Sequence, residues 1–567
     1  FDDGARGTEP KETVLAFRDA AGRTNVVEAD RRDAIAPPKV ESVQEVAAQA
    51  PLRIARPEAA SAPAGVVGDV GGVVAQEGVQ RSARLKMVAS APPPPPSTGG
   101  TAEPNDQPYG DVFFKTYGTN PFIDTEDDAL STFGLDVDTG SWGVAKRYLA
   151  DGHLPPAEAI RVEEILNSFR YGDRAPARDD FAIYSDAAPW PFPRGERYHA
   201  LRFGIRSREV SAANRKPATL IFTVDVSGSM AREDRLELVK RALHLLINQL
   251  DERDRIGLVV YGTNGEVLLE PTGDHEAIRR AIDRLTPEGS TNAEEGLVLA
   301  YRLAERYYRR GEINRVILCS DGVANVGRTG PESILESIGE AARRGIELTT
   351  VGFGMGNYND VLMEQLADRG NGHYAYVDSL AEARKVFVEN LTATLQTIAR
   401  DAKVQVEFEP SAVARYRLVG YENRDIADER FRDDSVDAGE IGAGHAVTAL
   451  YEIKLQPNLS RNARIATLRL RYKDVDNGDR VREVEHPVYA RDIATEWRDA
   501  PASLRLATLA STFGEVLKRS YWAKDLDPTL VSRRIDALAS EIRTAEVDEL
   551  AAMARKAARL LERKPVE

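Results

Sequence analysis

A chain of 567 residues, 42% hydrophobic and 29% charged, is long enough for several domains and has the composition of a water-soluble protein. A formal charge of −15 argues against nucleic acid or an anionic membrane as the main partner, and no run of about 18 apolar residues offers a membrane span. The single cysteine, Cys319, falls in a buried-strand pattern and excludes a disulfide framework. Residues 1–105 show no sustained period and end in Pro92 to Pro96 followed by Ser-Thr-Gly-Gly. Such a stretch buries too little apolar surface to offset ordering entropy, so a disordered tether is expected, with a short amphipathic pattern near Val40 to Ala48. The proline run reads as an extended spacer.

Residues 106–214 form a first ordered segment. Leu130 to Val137 is strand-like, Ser141 to Asp151 and Pro155 to Phe169 are helical, and strand-like stretches return from Phe181 to Ser207. Asp138-Thr139-Gly140-Ser141 matches one loop of an aspartic protease. That chemistry needs two such loops sharing one proton, and no second appears, so the reading is a strand end with a helix N-cap.

Residues 215–395 alternate strand and helix, which predicts a mostly parallel sheet covered on both faces. Leu236, Val239, Leu243, Leu246 and Leu250 share one helical face, and Asn264-Gly265 signals a hairpin. A single last helix is expected from Leu380 to Leu395. In residues 396–495 the period becomes 2, with strands near 403–408, 414–420, 445–455, 463–472 and 481–490. Asp474 to Asp479 begins like a calcium loop, but its spacing fails and Asn477-Gly478 reads as a turn. Residues 496–567 are helical. The seven histidines are scattered, without zinc spacing.

The chemistry concentrates where Thr219 to Met230 reads T-L-I-F-T-V-D-V-S-G-S-M. An apolar run stops at Asp225 and is followed by Ser227, Gly228 and Ser229, which sets oxygen ligands at the carboxyl edge of the sheet. Gly289-Ser290-Thr291-Asn292 opens a helical pattern, and Val316 to Ser320 is a second buried strand ending at Asp321. Hard oxygen donors with no His or Cys suit Mg²⁺, Mn²⁺ or Ca²⁺ better than zinc.

Asp-x-Ser-x-Ser, then Thr, then Asp resembles the metal-ion-dependent adhesion site of the von Willebrand factor type A domain. The resemblance implies that Ser227, Ser229 and Thr291 hold the metal directly, while Asp225 and Asp321 act mainly through waters and hydrogen bonds. It also implies a protein partner whose acidic side chain completes a Mg²⁺ or Mn²⁺ site, with Ca²⁺ the third choice. The flanks resemble a bacterial family of such proteins, the YfbK type. The matching stretches are Ser131 to Trp142, Leu154-Pro-Pro, Arg161-Val-Glu-Glu, Leu418 to Arg424 and Asp437 to His445. That resemblance covers about four-fifths of the chain and implies a bacterial cell-envelope or periplasmic location and no enzymatic activity; a signal or lipid anchor upstream of Phe1 is compatible with it. The expected function is a non-enzymatic, metal-dependent protein-binding module. The alternative is an intracellular partner of an AAA-type ATPase, since some domains of this type serve as chaperone or chelatase subunits; with no Walker motif in this chain, the ATPase would be a separate protein. A hydrolase has only the Asp138 loop in its favour.

One expectation concerns connectivity. Phe181 to Ser207 has no sheet of its own, and residues 403–490 alone would expose edges. The fold class is therefore α/β, a von Willebrand factor type A domain inserted in a β-sandwich built from both segments, with C-terminal helices and the tether. Two chain crossings would hold the metal face in a fixed orientation.

Overall fold

A computed structural model describes residues 14–18, 24–28, 116–322, 331–354, 360–436 and 438–562. The pattern near Val40 to Ala48, the proline run and Asp437 lie outside the described residues. In the compact unit Phe1–Ser90, β1 (Val14–Arg18) and β2 (Thr24–Glu28) form an antiparallel ladder within the stretch expected to be a tether.

The second unit, Ala91–Glu567, holds the rest. It begins with β3 (Ile123–Asp124), β4 (Leu130–Gly134), α1 (Gly140–Ala150), α2 (Val162–Asn167), β5 (Phe181–Pro189) and β6 (Tyr198–Ser207). Then come β7 (Ala218–Asp225), α3 (Arg235–Ile247), β8 (Arg255–Tyr261), β9 (Gly265–Thr272), α4 (His275–Asp283), α5 (Ala293–Arg306) and β10 (Ile313–Ser320). These are followed by α6 (Pro331–Arg343), β11 (Glu347–Phe353), α7 (Asp360–Arg369), β12 (Tyr374–Val377), α8 (Leu380–Arg384) and α9 (Leu391–Leu395). The chain closes with β13 (Thr397–Phe408), β14 (Val413–Val419), β15 (Gly439–Gly442), β16 (Ala446–Leu455), β17 (Arg464–Asp474), β18 (Arg480–Tyr489), α10 (Ala502–Lys518), α11 (Pro528–Ile542) and α12 (Ala545–Glu562).

The central sheet has the order β12-β11-β10-β7-β8-β9 and is parallel except for β9, which returns antiparallel to β8. Every residue of β7, β10 and β11 is buried, as continuous apolar runs require of strands covered on both faces. Alternation divides β7 between two cores. Leu220, Phe222 and Val224 pack with Leu236, Val239 and Leu243 of α3, whereas Ile221 packs with Leu297 and Ala300 of α5. Each such large apolar side chain, fully buried, is worth about 1.5–3 kcal/mol.

Around this domain two further sheets face each other over one core that includes Phe133, Phe203, Val404, Val406, Tyr416, Tyr451 and Leu468. One has the order β3-β14-β16-β6-β5. The other has β15-β13-β17-β18, with β4 lying on β13 beyond the stretch that β15 covers. β6 pairs antiparallel with β16 from Ala446↔Arg206 to Lys454↔Tyr198, so strands from before and after the central domain share one sheet. This is the expected insertion. The two crossings are tied together, Lys216 N donating to Gln396 Oε1 (3.1 Å). Beside them Arg215 grips Asp254 through two bonds of 3.0 and 2.5 Å, and Asp254 also accepts from Ala218 N. Helices α10 to α12 share a core with α1 and α2 that includes Trp142, Ile165, Leu509, Phe513, Ile535 and Leu550.

Two helix expectations need correction. In place of a helix from Pro155 to Phe169 there is a 3₁₀ turn at Ala157–Ala159, extended backbone at Ile160 and Arg161, and only then α2. The Ser141 hydroxyl donates to Ala159 O (2.9 Å) and accepts from Arg161 N (3.1 Å), satisfying groups that a continuous helix would have paired internally. The helix expected from Leu380 to Leu395 is divided by a π turn at Lys385–Glu389. Ala383, Phe387, Leu391 and Leu395 all enter the core at four-residue spacing. That spacing exceeds the 3.6-residue period, and the wider turn absorbs the drift.

Candidate metal site

β7 and β10 lie side by side in register, Cys319 opposite Val224, so Asp225 and Asp321 leave neighbouring strand ends at the carboxyl edge of the sheet. Asp225 Oδ1 accepts from Ser227 N (2.8 Å), which turns the chain sharply and presents Ser227 and Ser229 above the strand end. The two hydroxyls stand 3.0 Å apart, and Ser229 Oγ donates to Asp321 Oδ1 at 3.1 Å. Asp225, Ser227, Ser229 and Asp321 thus form one continuous hydrogen-bonded set. Thr291 is half-buried and precedes Asn292, whose side chain caps α5 through Glu295 N. Its loop is docked onto the first by Gly228 N→Gly289 O (3.0 Å) and Glu288 N→Val226 O (2.5 Å).

Two members of the arrangement escaped the sequence reading. Ser320 Oγ donates to Asp225 Oδ2 (2.8 Å) and accepts from Gly322 N, so it fixes the carboxylate's second oxygen. Its signal was a hydroxyl directly before the strand-end carboxylate. Arg235, the first residue of α3, places Nη1 2.5 Å from Asp321 Oδ2. Only the three-dimensional return of α3 to the sheet edge reveals that contact.

The electrostatics favour a cation. Asp225 is 0% exposed and Asp321 1%. Burial first, and the Asp321 charge second, push Asp225 up to about 6. Burial also raises Asp321, against the pull of Arg235. The donor set fits a hard divalent ion. Ligands about 2.0–2.1 Å from an octahedral Mg²⁺ stand roughly 3 Å from their neighbours, the separation of the two serine hydroxyls. Among the described residues no group of three His, Cys, Asp or Glu side chains is arranged to hold a metal; the oxygens gathered at this edge are two carboxylates and two serine hydroxyls.

The Asp138 loop has a structural role. Asp138 Oδ1 accepts from Tyr374 N (3.0 Å), closing an N–H at the edge strand β12, and Asp138 is itself buried beside Arg424. A Cβ at Gly140 would stand 2.4 Å from the Tyr374 ring, so the glycine permits α1 to lie against β12. The N-cap expectation holds only in place. Thr139 makes no side-chain cap bond, and Glu164 Oε2 takes Ser141 N at 2.6 Å. Asp138 N donates to Asp136 Oδ1 (2.8 Å), but both acids are buried and Arg424 bonds Asp136 at 2.9 Å, so they form an ion-paired strut closed to substrate. The Asp474 loop is a turn, with Asp474 accepting from Asp476 N and Asn477 N. Cys319 is buried, which pushes its thiol up and leaves it a core residue.

Comparison with known proteins bears on the fold and the family. Residues 220–323 match the von Willebrand factor type A domain model, and residues 109–198 match a model described as von Willebrand factor. Sheet, strand-end loops and match together make this a von Willebrand factor type A protein. Residues 393–560 match the model "Uncharacterized protein YfbK, C-terminal". The YfbK protein of Escherichia coli K12 is 40% identical over 356 residues, 61% of this chain and 62% of that protein. The chain belongs to the bacterial YfbK family of these proteins, and it spans about three-fifths of the length of that relative. Protein sll0103 of Synechocystis is 25% identical over 285 residues, 49% of this chain and 67% of that one. A solved von Willebrand factor type A structure from Catenulispora acidiphila aligns at 18% identity and TM-score 0.41, covering 68% of this chain and 91% of its own.

Proposed function

We propose that the chain is a non-enzymatic protein-binding module whose grip depends on a divalent metal, Mg²⁺ first and Mn²⁺ or Ca²⁺ next. Ser227, Ser229 and Thr291 hold the ion, while Asp225 and Asp321 orient them. The observation that carries the reading is the pair of buried carboxylates at one sheet edge, only one of which has an arginine, joined by serine hydroxyls 3.0 Å apart. When bound, the ion supplies Lewis acidity that low-charge hydroxyl ligands leave largely unquenched, which suits capture of an acidic side chain from a partner protein. The chain's own residues hold the loops in place, and the buried Asp225–Ser320 and Asp321–Arg235 contacts keep their carboxylates from swinging away. Among the described residues no helix is long and apolar enough to cross a membrane. We place the module at the bacterial cell envelope, on the family resemblance.

Calorimetric titration of Mg²⁺ into the wild type and Asp225→Ala tests the metal reading. Loss of binding in the variant is expected, and equal affinity in the two proteins would sink it. Fractionation of the native host, with the protein tracked by antibody, tests the location, and recovery in the cytosol alone would overturn it.

A further inference from the structure

A pocket of about 190 Å³ lies where the chain entering at Thr116 to Thr119, the start of α2, the 422–423 loop and the end of α10 converge. None of its lining residues belongs to the metal loops, so its reading stands or falls separately from the proposed function. The volume is far beyond the roughly 10–15 Å³ that one water needs.

Most polar groups in its wall already have partners. Glu422 takes Lys518 Nζ on Oε2 (3.1 Å) and Asn120 N on Oε1 (3.4 Å). The Ser520 hydroxyl bonds Glu515 and accepts from Trp522 N. Asn423 uses its amide nitrogen on Glu364 (2.9 Å), which leaves Oδ1 buried without a partner. Glu163 is the exception that defines the site. It is 1% exposed, and no side-chain donor reaches either carboxylate oxygen; only the backbone N–H groups of Tyr421 and of Glu163 itself lie close enough to favour its charge. What these atoms lack is a charged donor, and poorly met acceptors buried in a protein are costly.

We propose that this pocket binds a compact organic cation, a primary ammonium or guanidinium group, on the Glu163 carboxylate, with Asn423 Oδ1 as second acceptor. Such heads carry several N–H donors and a charge, the complement of what the wall leaves unmet. A bare metal ion fits less well, because one carboxylate and one amide are too few hard ligands. Burial, and then the nearby Glu422 charge, raise Glu163 to about 7 against the opposing pull of Lys518, so a bound cation would also stabilise its ionised form. Tyr521, 63% exposed, lines the pocket and leaves it reachable from solvent.

Titration calorimetry on the full chain tests this with methylguanidinium and n-propylammonium as free probes, a capped Ala-Arg-Ala peptide as the side-chain form, and n-butanol as the uncharged control. The cations are expected to bind and n-butanol not to. Glu163→Gln should weaken the cations at least tenfold while leaving Mg²⁺ binding unchanged. In the wild type at pH 6, binding should release close to one proton, read as a buffer-dependent heat that fades by pH 8.5. That readout stands even if the variant fails to fold. Tighter binding of the peptide than of the free probes would identify a protein side chain as the source, and the reverse a small molecule. Absence of binding at millimolar probe, equal binding to Glu163→Gln, or equal binding of n-butanol would overturn the proposal.

Discussion

Arg235 Nη1 stands 2.5 Å from Asp321 Oδ2, and the two side chains are almost wholly buried together at the edge of the metal site. Gly354, at φ +77°, closes over them, and a Cβ there would come within 2.6 Å of Arg235 Nε. The arginine serves as the resident counter-charge of the metal-free protein.

Arg235→Met should therefore cost the metal-free protein about 3–5 kcal/mol, since removing one member of a buried pair strands the other. Added Mg²⁺ should restore part of that, because a bound ion supplies the missing charge. Thermal melts with chelator and with Mg²⁺ check it. The metal-induced rise in Tm should be larger in the variant than in the wild type, and an equal or smaller rise counts against the account.

Ser229→Ala separates ligand from scaffold. The hydroxyl links Ser227 to Asp321 at the half-exposed rim, so metal-free stability should change by no more than about 1 kcal/mol. Mg²⁺ affinity, measured by calorimetry, should fall at least tenfold. A large loss of stability with unchanged affinity would mark the serine as structural.

The interleaved strands predict which fragments fold. Residues 400–567 alone lose β6 from β16 and β4 from β13, and should be insoluble or unfold without cooperativity. Replacing residues 217–395 by a short Gly/Ser linker should leave a folded sandwich, because Lys216 and Gln396 are already in contact. The excised central domain, 215–395, keeps one core whole but loses Val144 and Ala159 from the other and bares Tyr374 and Tyr376 where α1 packed. It should fold but self-associate, as sedimentation would show.

Much of this was legible because it is local or periodic. The strand-then-carboxylate pattern located Asp225 and Asp321, and β7 and β10 are unbroken apolar runs. The shared sheet was inferred from strands that lacked partners. Contacts that join distant segments stayed hidden. β4 and β15 share one edge of β13, Asp138 caps Tyr374, and α2 starts late because a serine twenty residues upstream of Arg161 takes its N–H. No propensity encodes those. The short helix-breaking stretch at Ile160 and Arg161 looks helical by composition, and tertiary hydrogen bonds override it.

Glu163 makes stability depend on pH. Its value is raised from 4.5 to about 7, so the folded state binds the proton more tightly than the unfolded one. The stability this contributes is fully present below about pH 4.5, and is lost as pH rises through 7. The loss is on the order of 3 kcal/mol. The difference in Tm between wild type and Glu163→Gln should therefore shift steadily against the wild type from pH 5 to 8, then level off. A flat difference would place the carboxyl elsewhere than in its buried setting.

The crossings beside Arg215 and Gln396 meet the amino end of β7, and the metal loops leave its carboxyl end, roughly 23 Å away at about 3.3 Å per residue. A partner pulling on the loops would draw β7 and β10 lengthwise between its own grip and two anchored feet. Force in that direction loads the ladder bonds of neighbouring strands in shear, many at a time, whereas a pull across an edge would peel them singly. On the proposed function, the insertion would turn the loop-bearing face into a tensile element, with the sandwich as its abutment.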